Sequence, residues 1–130
     1  MATLDPAALS PSVLAFLRER ILGTLTTLRP DGSPHVAPVG FSYDPEARLV
    51  RVITFAASVK ARNAAGGGRA AVCQVDGGRW LTLEGSVTVS PSPERVAAAV
   101  AAYGARYREP GQRTDRVAVE ITVDRIMGRG

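Results

Sequence analysis

The chain has 130 residues, 45% of them hydrophobic and 22% charged, with a net charge of +4 at neutral pH and a sequence pI near 10.0. These values fit one globular domain that can bury a core without disulfides or metal, and they exclude disordered and membrane-spanning chains. Cys73 is the only cysteine and His35 the only histidine, so neither an intrachain disulfide nor a Cys/His metal cluster is expected, and the start Met1-Ala2-Thr3-Leu4-Asp5 lacks the features of a signal peptide, which makes a cytoplasmic location the expectation.

Ser10-Pro11 reads as an N-cap followed by proline at the first helical position. Val13, Leu14, Leu17 and Ile21 then recur at helical spacing, which predicts a short amphipathic helix. Leu22 to Leu28 is a strand rich in β-branched Thr, Arg29-Pro30-Asp31-Gly32-Ser33 supplies a turn, and Pro34 to Tyr43 returns as the hairpin partner. Pro34 and Pro38 have no N–H to give a ladder, so this second strand belongs at an edge or a bulge. After a turn at Asp44-Pro45-Glu46-Ala47-Arg48, Leu49 to Phe55 forms a third strand; Ser58 caps a short helix through Ala65, which Gly66-Gly67-Gly68 ends.

Arg69 to Val75 and Arg79 to Val89 make a second hairpin about Asp76-Gly77-Gly78. Ser92-Pro93-Glu94 repeats the cap-then-proline signal, and Val96, Val100, Tyr103 and Tyr107 form a stripe that should face the sheet. A polar loop from Glu109 to Asp115 precedes a last strand, in which Val117, Val119, Ile121 and Val123 alternate with Ala118, Glu120 and Thr122. About six strands in consecutive hairpins, with three short helices, predict a mainly β, antiparallel barrel formed by a single domain over residues 1–130.

The basic charge favours anionic partners. The basic residues are spread along the chain, however, and recognition-helix, RNP and zinc-finger patterns are missing, so neither nucleic acid nor membrane is expected as a partner. Among 16 basic residues Lys60 is the only lysine. It lies in Ser58-Val59-Lys60-Ala61-Arg62-Asn63, a helix start directly after a strand, where free backbone N–H groups, a hydroxyl and a point charge suit a phosphate; an ordinary capped surface helix is the plainer reading. The triple glycine lacks the ending of a P-loop and reads as a turn. Trp80, beside Arg79 at the mouth of a strand, is equally a stacking platform, a dimer anchor or a core residue. His35 is as readily a structural hydrogen-bonding group as a functional one, and Cys73 reads as an inert strand residue.

Taken in order, Leu25-Thr26-Thr27-Leu28-Arg29-Pro30-Asp31-Gly32-Ser33-Pro34-His35-Val36, Arg51-Val52-Ile53-Thr54, Ser58-Val59-Lys60-Ala61-Arg62-Asn63 and Gln74-Val75-Asp76-Gly77-Gly78-Arg79-Trp80-Leu81-Thr82-Leu83-Glu84-Gly85 resemble the flavin and deazaflavin oxidoreductases related to pyridoxamine phosphate oxidase. The last of these segments and Tyr103-Gly104-Ala105-Arg106-Tyr107 are most similar to the F420-dependent biliverdin reductase branch. The resemblance implies a six-stranded antiparallel split β-barrel of the FMN-binding type, dimerising through its sheet, with two coenzyme sites shared across the interface.

By position, the resemblance places Ser58, Lys60 and Asn63 at the coenzyme phosphate. Val36, Ala37, Pro38 and Val39 fall along the tricyclic ring with Ile53 and Thr54 as neighbours, and Arg79 and Trp80 near the ring, from either subunit. It implies F420 as coenzyme, with FMN as the alternative, and hydride transfer to the central methine carbon of biliverdin, giving bilirubin. Competing readings are a reductase of another conjugated substrate such as a quinone, and a non-catalytic coenzyme or tetrapyrrole carrier. No side chain stands out as a general acid. The sequence ends at Gly130 without the C-terminal Arg/His substrate segment of pyridoxamine phosphate oxidases, so vitamin B6 oxidation is not expected. Ser58 stands where relatives often place Arg.

Overall fold

The computed structural model describes residues 3–130. Strands and helices run in the order β1 (Thr3–Leu4), α1 (Pro11–Phe16), β2 (Gly23–Leu28), β3 (Pro34–Val39), β4 (Ser42–Asp44), β5 (Leu49–Phe55), α2 (Val59–Ala65), β6 (Arg69–Asp76), β7 (Arg79–Ser90), α3 (Pro93–Arg106) and β8 (Arg116–Arg129). All strand pairs are antiparallel, in the order β3-β2-β6-β7-β8-β5-β4, with β1 paired to β8. The sheet curls until its concave face encloses the core, and the ladder ends at β3 on one side and β4 on the other, which makes it a split barrel. Period-two alternation places Leu25, Val50, Val52, Val72, Leu81, Leu83, Ile121 and Ile126 inside, joined by Phe16 from α1 and by Phe41. No helix among the described residues is long and apolar enough to cross a membrane.

The prolines act as read: β3, which carries Pro34 and Pro38, is an edge strand. Among the described residues eight strands replace the six expected, and each difference has a physical cause. The expected strand from Pro34 to Tyr43 breaks at Gly40 and Phe41, because the Phe41 carbonyl accepts from Arg106 and its N–H donates to the Tyr107 hydroxyl, leaving neither for a ladder. Gly40 lies under the tyrosines: a Cβ there would meet Tyr103 Cε2 at 2.7 Å. The last strand runs well past Val123 because Asp124 is an extra residue opposite Glu84 and Gly85, and this bulge restores the register. Gly85 permits it, since a Cβ would lie 1.8 Å from the Thr122 carbonyl oxygen. Two-residue β1 adds the remaining strand.

The first helix ends at Phe16 and does not continue to Ile21. Beyond it the carbonyls of Glu19 and Ile21 accept from Arg106, and that of Ile21 also from Tyr107, which holds this stretch out of helical register. Ser10 and Ser58 cap α1 and α2 through their hydroxyls, whereas Ser92 occupies the cap position of α3 without a side-chain bond.

Candidate functional site

Two helices frame the site. The seven-residue α2 packs against β2, β7 and β8, while α3 lies over β4, β5 and β8. The position of α2 is fixed locally. Ser58 Oγ accepts from the Ala61 N–H at 3.2 Å and from Thr54 Oγ1 at 3.0 Å, and Asn63 Nδ2 donates to Thr27 Oγ1 at 3.0 Å. These bonds set Lys60, half-buried, at the mouth of a cleft of about 360 Å³. Lys60 has no hydrogen-bond or ion-pair partner among the described residues.

The cleft is lined by Pro38 and Val39 at the end of the edge strand and Gly40 after it, Ile53, Thr54 and Phe55 at the end of β5, Tyr103 of α3, and Arg108, Pro110, Gly111, Arg113 and Arg116 around the loop into β8. Ile53 and Phe55 present the face of β5 opposite to Val52 and Thr54, so the same alternation that fills the core also furnishes this wall. The Phe55 ring carries the Arg113 guanidinium 4.4 Å from its centroid, a cation–π contact that Asp115 reinforces by accepting from Arg113 Nε and Nη2. Arg116 donates to the Gly111 carbonyl at 2.8 Å. No carboxylate lines the cleft, so its field is positive.

The loop springs from a buried knot at the end of α3. Arg106, 8% exposed, donates to the carbonyls of Glu19, Phe41 and Ile21 at 2.8, 2.7 and 3.2 Å and to Gln74 Oε1 at 2.7 Å. Burial lowers its pKa from the usual arginine value, yet with four acceptors around it the group stays a cation. Tyr107 donates to the Ile21 carbonyl at 2.7 Å, and burial raises its phenol pKa.

Of the residues singled out in the sequence, Pro38, Val39, Ile53, Thr54 and Lys60 come together in this cleft. Ser58 and Asn63 do not line it; both are taken up in holding α2. Val36 is exposed and Ala37 half-buried, both outside the cleft on β3. Arg79 is engaged elsewhere: it pairs with Glu19 and Asp76, each at 2.8 Å, and lies over the Phe16 ring, and these two carboxylates raise its pKa. Trp80 is half-buried on β7, opposite Val75 and Arg129. His35 Nδ1 is buried without a partner among the described residues.

Sequence reading missed Arg108, Arg113, Arg116, Phe55 and Tyr103 as cleft residues. The density of arginine in the stretch from 106 to 116 was the available signal, but composition alone does not say which arginines converge.

The family model described as pyridoxamine 5'-phosphate oxidase matches residues 9–129. The chain is 48% identical over 120 residues, 92% of its length and 88% of the relative's, to the F420H(2)-dependent biliverdin reductase of Mycobacterium tuberculosis (strain CDC 1551 / Oshkosh). Among solved structures it is similar to an F420 reductase, with a TM-score of 0.71 at 25% identity over 87% of this chain and 94% of that one. A conserved hypothetical protein from Mycobacterium tuberculosis shares the fold, with a TM-score of 0.79 at 23% identity over 99% and 89% of the two chains.

Proposed function

The chain belongs to the pyridoxamine 5'-phosphate oxidase family, and from that premise we propose that it is an F420-dependent reductase that reduces biliverdin to bilirubin in the cytoplasm. The observation that carries this reading is the likeness to the mycobacterial biliverdin reductase along nearly all of both chains. The cleft fits an anionic coenzyme with a flat ring: Pro38, Val39 and Ile53 supply apolar surface, Lys60 an unpaired cation, and no lining carboxylate opposes a phosphate. Lys60 would hold the phosphate, and Pro38, Val39, Ile53 and Thr54 would flank the ring. When bound, F420 supplies the hydride.

The chain's own residues do the positioning. The cap at Ser58 and the tether from Asn63 to Thr27 hold Lys60 in place, so its charge meets the phosphate without reorganising. Tyr103 and Phe55 line the same cleft and would add aromatic surface beside the ring. No Asp, Glu, His or Cys is among the lining residues, and in this reading the proton that completes the reduction arrives from solvent or from a water bound to a nearby arginine.

The working form in this reading is a homodimer. Leu28 and Val36 stand 47% and 58% exposed side by side on the outer face of the β2–β3 edge, and Val75 on β6 stands 59% exposed. A second copy seated there would cover them and bring Val36, Ala37, Arg79 and Trp80 to the shared sites.

The test is stopped-flow mixing of protein and reduced F420 with biliverdin. Reoxidation of the coenzyme should keep pace with loss of the biliverdin band and depend on protein. Binding of both ligands without turnover would make the protein a carrier, and the reductase reading would fall.

A further inference from the structure

Where Tyr103 of α3 faces the Lys60 cleft, Ala102 and Ala105 on another face of the same helix border a second cleft, at the sheet edge along β4. Its two adjoining hollows, of about 370 and 240 Å³, share Leu17, Arg18, Ser42, Tyr43 and Ala102. Three of the four buried side-chain nitrogen and oxygen atoms without a hydrogen-bond partner among the described residues belong to its lining: Ser42 Oγ, Tyr43 Oη and Arg51 Nε, the fourth being His35 Nδ1 on β3. Strand pairing gathers them, since Ser42 of β4 lies opposite Arg51 of β5 and Tyr43 follows in the chain. Each such atom costs the fold the hydration it gave up, and three of them about one cleft call for an explanation that folding does not supply. One water does not supply it either. The larger hollow is many times the roughly 30 Å³ of a water and falls within the roughly 300 to 1,000 Å³ of small-molecule sites.

The lining narrows the ligand. Arg18 is exposed and its side chain has no partner among the described residues, and Arg51 has only a 3.5 Å contact from Nη1 to Asp44 Oδ2. Asp44 is the one acid in the lining, and its other oxygen is held by the turn, where it accepts from the N–H groups of Glu46 and Ala47. Arg106 reaches the smaller hollow but is bonded to four acceptors of its own. Positive charge is therefore left over, beside an apolar wall of Leu14, Leu17 and Ala102. Burial raises the Tyr43 phenol above the ordinary 10.0, so it keeps its proton and remains a donor at neutral pH. We infer that this cleft is a second binding site, for a small carboxylic acid with an apolar or aromatic body. Arg18 and Arg51 Nε meet the carboxylate, the hydroxyls of Ser42 and Tyr43 donate to it, and the body lies on Leu14 and Leu17. The three unpartnered atoms lie beneath the cleft surface; side-chain rotation of the kind common on binding brings them to it, and alanine at 102 and 105 sets no bulk against it. The site stands apart from the function proposed above, because none of these residues lines the Lys60 cleft.

Calorimetric titration of the full chain with naphthoate, an aryl carboxylate, and with its neutral amide tests the site. The acid should bind once per chain and about tenfold or more tightly than the amide. Arg18→Ala and Tyr43→Phe should each weaken it about three- to tenfold, whereas Lys60→Ala, in the other cleft, should leave it unchanged. Neither cleft variant loses an internal side-chain bond, so the urea midpoint of Arg18→Ala should stay put and that of Tyr43→Phe should hold or rise. That pairing separates a ligand-binding hydroxyl from a structural one, whose removal would lower the midpoint. Absence of binding up to millimolar naphthoate, equal binding of acid and amide, affinity untouched by both cleft variants, a loss in Lys60→Ala as large as that in Tyr43→Phe, or a lowered midpoint in Tyr43→Phe would each overturn the proposal, and none of these results bears on F420 or biliverdin.

Discussion

Replacing Arg106 by Met probes the knot on which the cleft loop depends. The guanidinium makes four hydrogen bonds to neutral acceptors, and two of those acceptors keep a second donor. Ile21 O retains the Tyr107 hydroxyl at 2.7 Å and Glu19 O retains the Ile21 N–H at 2.8 Å, whereas Phe41 O loses its donor, because the single Tyr107 proton is committed to Ile21 O. Gln74 Oε1 is left with none. It cannot turn away, because Nε2 of the same fully buried side chain donates to Phe16 O at 2.8 Å.

Two stranded oxygens cost about 1 to 3 kcal/mol each, and two carbonyls that lose a charged donor about 0.5 kcal/mol each; relief of the buried charge offsets part of this. Met still covers the Phe41 and Tyr107 rings that the guanidinium now overlies at 4.6 and 5.1 Å. The expected loss is about 3 kcal/mol, a large share of the roughly 5 to 15 kcal/mol that holds a domain of this size together. Urea unfolding should show a lower midpoint at unchanged slope, and calorimetry a Tm lower by roughly 10 °C. A loss below about 1 kcal/mol would refute the reasoning, since it would mean that water or a rotated Gln74 satisfies the acceptors as well as the cation does.

Lys60→Ala should weaken F420 binding by about 1.5 to 3 kcal/mol, read by the change in coenzyme fluorescence polarisation, while the urea midpoint stays put because Lys60 makes no internal bond. Tyr107→Phe carries a pH signature. The folded phenol has a pKa raised by burial above the ordinary 10.0, so its contribution is fully present below the unfolded value and is lost as pH rises through the folded one. The variant should lose about 1 kcal/mol near pH 8 with the bond to Ile21 O, yet its stability should fall less steeply in alkali; equal alkaline slopes would contradict the assignment. Val36→Glu places a charge on the outer sheet face and should shift the protein to monomers in sedimentation velocity, with coenzyme affinity falling alongside. A monomeric parent would remove the basis for that expectation.

What the sequence made legible followed from local chemistry. Proline at 34 and 38 put β3 at an edge, serine at 10 and 58 placed two caps, and the hairpin turns lay where Gly and Asp cluster. What it hid was decided by partners distant in the chain. Gly40-Phe41 continues a strand pattern and Leu17 to Ile21 a helical one; both are broken by Arg106 and Tyr107, more than eighty residues on from Ile21 and more than sixty from Phe41. Ser58 and Asn63 lay in the segment matched to the phosphate, but in the structure Ser58 Oγ accepts from Ala61 and Thr54 and Asn63 Nδ2 donates to Thr27, away from the cleft lining. Period and spacing identify a helix start; they do not say which of its polar groups remain free.

The two sources of positive charge in the cleft are held in different ways, and that difference bears on what each can do. Lys60 rides on a helix fastened by bonds between near neighbours in sequence, so its position survives small changes elsewhere in the fold. The arginine loop is pinned at its ends, where Tyr107 is bonded to the Ile21 carbonyl and the Asp115 carbonyl accepts from the Ala56 N–H at 2.9 Å, and is braced within by Arg116 on the Gly111 carbonyl and by Arg113 on Phe55. Of the lining arginines only Arg108 is without a partner among the described residues and can adjust to a ligand, whereas the helix that carries Lys60 cannot move far without undoing a cap. A fixed cation suits the part of a coenzyme that must return to the same place in every cycle. An exposed, unpaired arginine on a loop suits an adaptable contact, and because the loop begins at the Arg106 knot, loosening that knot should disturb Arg108 before it touches the position of Lys60.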